Sequence, residues 1–495
     1  MSLKILPHRV FALIGVCVLL LAAAGCSVPQ PDPQAEMKQI APIGGWDSEN
    51  DPGDVTSDWL AAFDDPQLVE LVNEAQVANP SLAATGAALA AAVAEARQAN
   101  APLYPALNFD AGVRQNYLFE LTEEERSLGL EKSQTAFGIG LNLSWELDVW
   151  QRVSDAAKSA GFAATATAAD YAFARQSLAA QVTKGWFQAV TNKLQFELAV
   201  RFVENFEEAL RIAQARFNAG DVSAQDVLTT EADVASARQS AQEALFATRA
   251  SIRALEILLG RYPSTDLAIA DSLKTDLSPV PSGLPSSLLE RRPDLIAADR
   301  NVSAAFFATK AAAAARLPSF SLTANYDSTA DNFGDLFDAT SMLANIGIGL
   351  FQPLFDAGLL KNQFLQAEAE QMVTVAQYKQ TALNAFQEVE DALNLESSLK
   401  EQIRQLEIAS QSLEKASGIA EIRYREGETD LTSYLVVQRQ SLNAQSGLIA
   451  ARGTLLTNRV DLYLALGGNF EEGAIADTPA PPPLPSQQSE SSQSQ

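Results

Sequence analysis

The chain has 495 residues and a formal net charge of -26, from 61 acids against 35 bases. A surface so acidic argues against a nucleic-acid ligand, which is held through Lys and Arg on its phosphates. The only histidine is His8 and the only cysteines are Cys17 and Cys26, so the body of the chain lacks His-based acid–base groups, thiol nucleophiles, disulfides and His/Cys metal sites. No carboxylate constellation asks for catalysis, and the chain reads as a non-enzyme with no cofactor.

Lys4, His8 and Arg9 precede an apolar run from Val10 to Ala24. The run is short for a membrane span and has the layout of a secretory signal, residues 1–25. It ends Ala23-Ala24-Gly25-Cys26, small residues before a cysteine that resemble the bacterial lipobox, with Ala23 where that motif prefers Leu. Cys26 is therefore the expected lipidation site and first mature residue. By the same sorting rule Ser27, where an Asp would retain the protein inside, points to the outer membrane. Acyl chains there would contribute roughly 0.8 kcal/mol per buried methylene. Residues 26–65, rich in Pro, Gly and Asp, read as an extended segment.

A first structural segment covers 66–260. A helix is expected from Pro66 to Ala78 and an Ala-rich one from Pro80 to about Ala99, with Asn79 as its cap. The period then changes to two. Strands are expected at about 107–117 and 135–147, the second with Phe137, Ile139, Leu141, Leu143, Trp145 and Leu147 on one face and Gly138, Gly140, Asn142, Ser144 and Glu146 on the other. Tilted strands of this length suit a bilayer-spanning barrel; a soluble sandwich hairpin is the alternative. From Val153 a helix of roughly 65 residues, about 100 Å, runs to Phe217. Its expected seam is Phe196, Ala199, Val203, Phe206, Leu210, Ala213 and Phe217, a heptad stripe. Gly220 breaks it, and a second helix follows from about Ala224 to Leu259.

Residues 261–287 are a Pro- and Ser-rich linker, and a second segment covers 288–468. It repeats the order of the first: Pro293 stands at Pro80, strands are expected at about 319–327 and 344–352, and the seam Ile403, Leu406, Ser410, Leu413, Ser417, Ala420 and Tyr424 lies 207 residues beyond its counterpart. The same offset relates the stretches 216–228 and 423–435, matching Arg216 to Arg423, Phe217 to Tyr424, Gly220 to Gly427 and Leu228 to Leu435. A glycine where one helical pattern ends and another begins supplies the positive φ of a helix stop, so both stretches read as hairpin tips. Such a register match points to internal duplication of a helix–strand–strand–helix–helix unit. Residues 469–495 close the chain with a Pro, Gln and Ser tail expected to be disordered.

Four membrane-type strands cannot close a barrel, because their edges would be unpaired in lipid. Several chains must then share one barrel. The helices are far longer than a bilayer is thick and must extend into an aqueous compartment, the periplasm for an outer-membrane lipoprotein. The loops 118–134 and 327–341 would face outside, their acids Glu123, Glu124, Glu125, Asp331, Asp335 and Asp338 forming a solvated rim.

Three motifs in order, Trp59 to Pro66 with Asn79-Pro80, Leu288-Leu289-Glu290-Arg291-Arg292-Pro293-Asp294, and Arg423-Tyr424 with Gly427, resemble the TolC family of outer-membrane efflux channels and most closely its lipoprotein branch. The resemblance covers nearly all of the chain after residue 58. It implies a mainly α fold with a membrane β part, a coiled-coil helical barrel joined to a transmembrane β-barrel shared by three chains. It also implies a passive conduit in a tripartite drug-efflux system, in which the homotrimer docks a periplasmic adaptor (membrane fusion) protein upstream of an inner-membrane pump of the RND type. Arg216, Phe217, Gly220, Arg423, Tyr424 and Gly427 would dock the adaptor. The aperture would be narrowed by Asp430, Thr432, Tyr434, Val436 and Arg439, with Val436 where relatives often carry Asp. A conduit for secreted polypeptide and a pore-less periplasmic scaffold are the competing functions.

Overall fold

The computed structural model describes residues 28–40, 45–48, 59–117, 123, 133–283, 285–338 and 340–468. The signal segment with Cys26, the acids Glu124 and Glu125, and the C-terminal tail lie outside the described residues. The chain divides into two compact units: unit 1 comprises Met1–Pro33, Ala90–Ala166 and Ala298–Tyr378, and unit 2 comprises Gln34–Leu89, Thr167–Ala297 and Lys379–Gln495.

Unit 1 contains a four-stranded antiparallel sheet. Its strands are β1 Ala106–Tyr117, β2 Ser133–Leu147, β3 Ser319–Ala330 and β4 Met342–Phe351, in that order across the sheet. The alternation expected for β2 is the alternation found. Leu141 pairs with Phe109 and Tyr326, and Trp145 pairs with Leu322, so one face is apolar from strand to strand. That face is open: Phe109, Tyr326, Ile346 and Ile348 are exposed. The outer edges of β1 and β4 have no strand partner among the described residues.

β3 is three residues longer than expected, and the stretch after it is not a plain acidic loop. Phe333–Phe337 folds as a 3₁₀ turn whose Leu336 is buried, with Ser328 Oγ donating to the Leu336 carbonyl at 2.6 Å. Phe333 meets Phe137 edge-on at 6.0 Å. The apolar side chains that tie this turn to the sheet, Phe333 and Leu336, are interleaved with Asp331, Asp335 and Asp338, which hides them in a reading of composition. The three acids, like Glu123 in the other loop, are exposed.

Each strand pair hands over to a long helix through an aspartate. Asp148 accepts from the Val153 and Ser154 amides at 2.8 Å, and Asp356 accepts from Gly358 and Leu360 at 2.9 and 3.0 Å. The Leu360 and Gly358 amides hold the Asp356 carboxyl below its ordinary value.

Helices make up unit 2. In chain order the helices among the described residues are α1 Pro33–Ile40, α2 Pro66–Ala78, α3 Pro80–Asn100, α4 Arg152–Ala219, α5 Ala224–Leu258, α6 Pro285–Arg291, α7 Pro293–Ala314, α8 Leu359–Arg425 and α9 Leu431–Ala465. Asn79 caps α3 as expected, its Oδ1 accepting from the Ser81 and Leu82 amides. The end of the linker is helical, because Pro285 starts α6.

The expected seam of α4 is displaced. Leu198, Phe202, Phe206, Ala209, Ile212 and Ala213 are buried, Phe196, Ala199, Val203 and Leu210 are half-buried, and Phe217 is exposed. Apolar residues cover more than one stripe of this helix, so periodicity alone leaves the choice of stripe open. Contacts with α8 and α9 decide it, since Leu198, Phe202 and Phe206 share one cluster with Tyr424, Leu431 and Tyr434. On α8 the expected seam holds: Ile403, Ser410 and Tyr424 are buried and the positions between them are half-buried.

The motifs before Pro80 and Pro293 do corresponding work. Asn79 Nδ2 donates to the carbonyl of Leu258 at the end of α5, at 2.8 Å. Arg292 Nη1 donates to the carbonyl of Ala465 at the end of α9, at 3.2 Å. Each therefore satisfies a C-terminal carbonyl that a helix leaves open. Arg292 is buried, and its charge is balanced by Asp294 at 2.7 Å and Glu388 at 2.6 Å. The glycines that follow these helix ends, Gly260 and Gly467, have φ of +73° and +93° and lie against Ala78 and Arg291, where a side chain would collide or crowd.

Candidate functional site at the helical tips

Both tips are built alike. α4 ends with the Gly220 amide on the Phe217 carbonyl and the Asp221 amide on the Arg216 carbonyl, each at 2.9 Å. α8 ends with the Gly427 amide on the Tyr424 carbonyl at 3.2 Å and the Glu428 amide on the Arg423 carbonyl at 2.8 Å. This is the Schellman stop, and it needs the left-handed backbone that Gly220 and Gly427 adopt, at φ +82° and +80°. After each turn a short polar side chain starts the next helix. Ser223 caps α5 in a reciprocal box with Asp226, and Asp430 caps α9 by accepting from the Ser433 amide at 2.9 Å. The Ser433 amide and hydroxyl hold the Asp430 carboxyl below its ordinary value, so it is charged at neutral pH.

Around these turns the side chains diverge. Tyr424 is fully buried and stacks on Tyr434, with ring centroids 5.2 Å apart and planes at 10°. Burial pushes the Tyr434 phenol up to about 12, and it accepts from Gln438 Nε2 at 3.0 Å. Arg216 reaches across from the other tip. Its Nη1 donates to the Tyr424 carbonyl at 3.1 Å, and its guanidinium lies 5.3 Å from the Tyr424 ring centre. Arg216 thus serves the C-terminus of α8 as well as its own last turn. Arg423 is exposed and stays within its own tip, near Glu428.

Among the residues expected at an aperture, Tyr434 is core and leaves no surface with which to line a passage. Asp430 is engaged as a helix cap, while Thr432, Val436 and Arg439 are exposed. Arg439 pairs with Asp233 of α5 at 3.2 Å, beside a groove of about 310 Å³ lined by Phe202, Phe206, Ala237 and Leu442. Sequence reasoning missed Asp233. It lies 206 residues before Arg439, and no local pattern signals the pairing. Among the described residues no group of three or more Asp, Glu, His or Cys could hold a metal ion.

Residues 71–261 and 284–468 match the family described as outer membrane efflux protein. The chain belongs to that family. It is 31% identical over 474 residues to the antibiotic efflux pump outer membrane protein ArpC of Pseudomonas putida, covering 93% of this chain and 96% of that protein. It is equally 31% identical over 484 residues to the pyoverdine export outer membrane protein OpmQ of Pseudomonas putida, covering 93% and 97%. Its structure resembles that of the outer-membrane channel OprN, with a TM-score of 0.81 at 27% identity, over 90% of this chain and 99% of that one. The protein is accordingly an outer-membrane efflux channel and not an enzyme. The resemblance read from Trp59 to Pro66 with Asn79-Pro80, from Leu288 to Asp294 and from Arg423, Tyr424 and Gly427 holds at family level.

Proposed function

We propose that three copies of this chain form one conduit, which carries drugs or other small toxic molecules outward on behalf of a periplasmic adaptor and an inner-membrane pump, RND-type by resemblance. The observation that supports a shared barrel is the sheet, with four strands, no strand partner at either outer edge among the described residues, one open apolar face and one polar face; the number three is what the family resemblance implies. In lipid such edges must be paired, and pairing β1 of one copy with β4 of the next does so with a closed ring of strands. The polar face then lines the passage. Helices of 68 and 67 residues supply the periplasmic extension. Two relatives equally similar to this chain carry antibiotic and pyoverdine export in their names, which supports a cargo chosen by the pump.

Within this reading the tips dock the adaptor through Phe217 and the exposed rims around Gly220 and Gly427, and Arg439 holds the aperture closed through Asp233. Cys26 carries the lipid. The two segments descend from one duplicated unit, a reading supported by the constant offset of 207 and by the matched helix-end contacts of Asn79 and Arg292. Planar-bilayer conductance and native mass of the purified full-length protein test the conduit. Trimers that conduct support it, and trimers without conductance would leave the scaffold. A susceptibility screen of a deletion strain separates small-molecule cargo from secreted polypeptide: no gain in sensitivity to any toxic compound would sink the small-molecule reading. An N-terminal mass without diacylglycerol on Cys26 would remove the anchor.

A further inference from the structure

At the helix end of the sheet the acidic balance of the chain reverses. Residues 301–326 hold Lys310 and Arg316 and no acid, and residues 149–166 hold Arg152 and Lys158 with Asp155 as their one acid. That acid is buried, and it is shared. Lys158 Nζ stands 3.1 Å from its Oδ1 and Lys310 Nζ 2.9 Å from its Oδ2. Both ammonium groups also face one ring, 5.3 and 5.4 Å from the centre of Phe307, on which Phe162 stacks at 5.4 Å. Ser159 Oγ ties α4 to α7 by donating to the Ala304 carbonyl at 2.8 Å. The two lysines are thereby held side by side with more positive charge than one carboxylate balances. Each ammonium has three donors, of which Asp155 takes one. Both lysines remain open to solvent, Lys158 at 47% and Lys310 at 30% of the side chain.

A second feature lies about one to two helical turns nearer the strands. There an apolar niche of about 280 Å³ opens between the ends of β2, β3 and β4, lined by Trp150, Leu317, Pro318, Phe351 and Leu360 among others. Trp150 Nε1 donates to the Pro318 carbonyl at 2.8 Å, which locks the indole across the junction, and Val149 beside it is exposed. Tryptophan in such a position suits a membrane–water interface, with one part apolar and one part polar. α4 follows β2 and α7 leads into β3, the two inner strands of the sheet, so lysines and niche stand away from the outer edges where further copies would join.

We propose that Lys158 and Lys310, together with the niche around Trp150, bind an anionic phospholipid of the leaflet that faces the helices, the lysines taking the headgroup phosphate and the niche the start of an acyl chain. The proposal rests on the reading of the sheet as membrane-spanning. A free phosphate ion would use the lysines and leave the niche without a purpose; an amphiphile uses both. The headgroup zone extends about 5–8 Å beyond the hydrocarbon. On α4 a side chain leans toward the helix N-terminus, which is the sheet end, so Lys158 is directed back toward that zone. Basic side chains near a membrane surface favour anionic over zwitterionic lipid. Asp155 is a positioning residue for both ammonium groups.

The test is native mass spectrometry of the full-length protein in detergent, titrated with equal amounts of phosphatidylglycerol and phosphatidylcholine. The unsubstituted protein retains phosphatidylglycerol preferentially. Lys158→Gln with Lys310→Gln and Asp155→Asn removes the cluster without leaving a buried charge unpaired, and lowers phosphatidylglycerol binding at least about tenfold. Lys158→Gln alone leaves Lys310 to balance Asp155 and lowers it about three- to fivefold, which serves if the triple variant does not fold. Lys415→Gln on α8 changes the net charge by the same amount as the triple variant and leaves binding as it was. No preference in the unsubstituted protein, unchanged binding in the lysine variants, or an equal loss in Lys415→Gln overturns the site. Displacement of the lipid by an equal concentration of inorganic phosphate overturns the lipid as its occupant. A protein that conducts in a planar bilayer but fails these tests loses the site alone; one that never conducts loses the membrane sheet on which the site depends.

Discussion

The two tips have the same turn and opposite surroundings. Both stop a helix with a glycine near φ +80°, and both restart the chain with a capping side chain. Yet Phe217 is 45% exposed where its counterpart Tyr424 is 0%, and Leu228 is 64% exposed where Leu435 is 2%. The second tip is the core of the hairpin pair, and the first leans on it through Arg216. Turn chemistry is a local property of a few residues. Burial is a property of what stands opposite, so stretches with the same turn take different roles in stability and recognition.

The comparison is tested most severely at its buried aromatic. Tyr424→Ala should lower stability by about 3–5 kcal/mol, the range for removing a buried aromatic side chain, whereas Phe217→Ala should cost well under 1 kcal/mol. Thermal unfolding of the detergent-solubilised protein measures both, and equal losses would break the asymmetry. Leu435→Ala should cost about 2–5 kcal/mol by the same logic, with Leu228→Ala near neutral.

Arg216→Ala removes a hydrogen bond to a helix-end carbonyl and a cation–π contact, an expected loss of about 1–2 kcal/mol. Arg423→Ala, with only exposed contacts, should change unfolding little. If the two arginines cost the same, the crossing contact is not what joins the tips. A smaller effect of opposite sign is expected from Tyr424→Phe. The Tyr424 hydroxyl is buried without a hydrogen-bond partner among the described residues, so its removal should stabilise by about 0.5–1 kcal/mol. Smallest in stability, but readable in function, are Arg439→Ala and Asp233→Asn. Each opens a partly exposed pair worth about 0.5 kcal/mol, yet each should raise single-channel conductance if the pair holds the aperture. Unchanged conductance in both would dissociate Arg439 from gating.

Strands, helix ends and tips were legible in the sequence because their causes are local. Alternation over ten residues specifies a two-faced strand, Asn79-Pro80 specifies a helix start, and Gly220 and Gly427 specify helix stops. The packing that sets Lys158 and Lys310 on one carboxylate could not be read along the chain, since α5, the linker and α6 separate the two helices that carry them. The same holds for Asp233 opposite Arg439 and for Arg292 on the last turn of α9, contacts that join residues 206 and 173 positions apart. It holds for the stripe of α4 as well, where apolar residues on several faces leave the choice to the neighbouring helices. By itself the sequence determined where the backbone turns and which faces are apolar. Only the tertiary structure decided which apolar face becomes core, because burial and long-range pairing depend on surfaces contributed by distant parts of the chain.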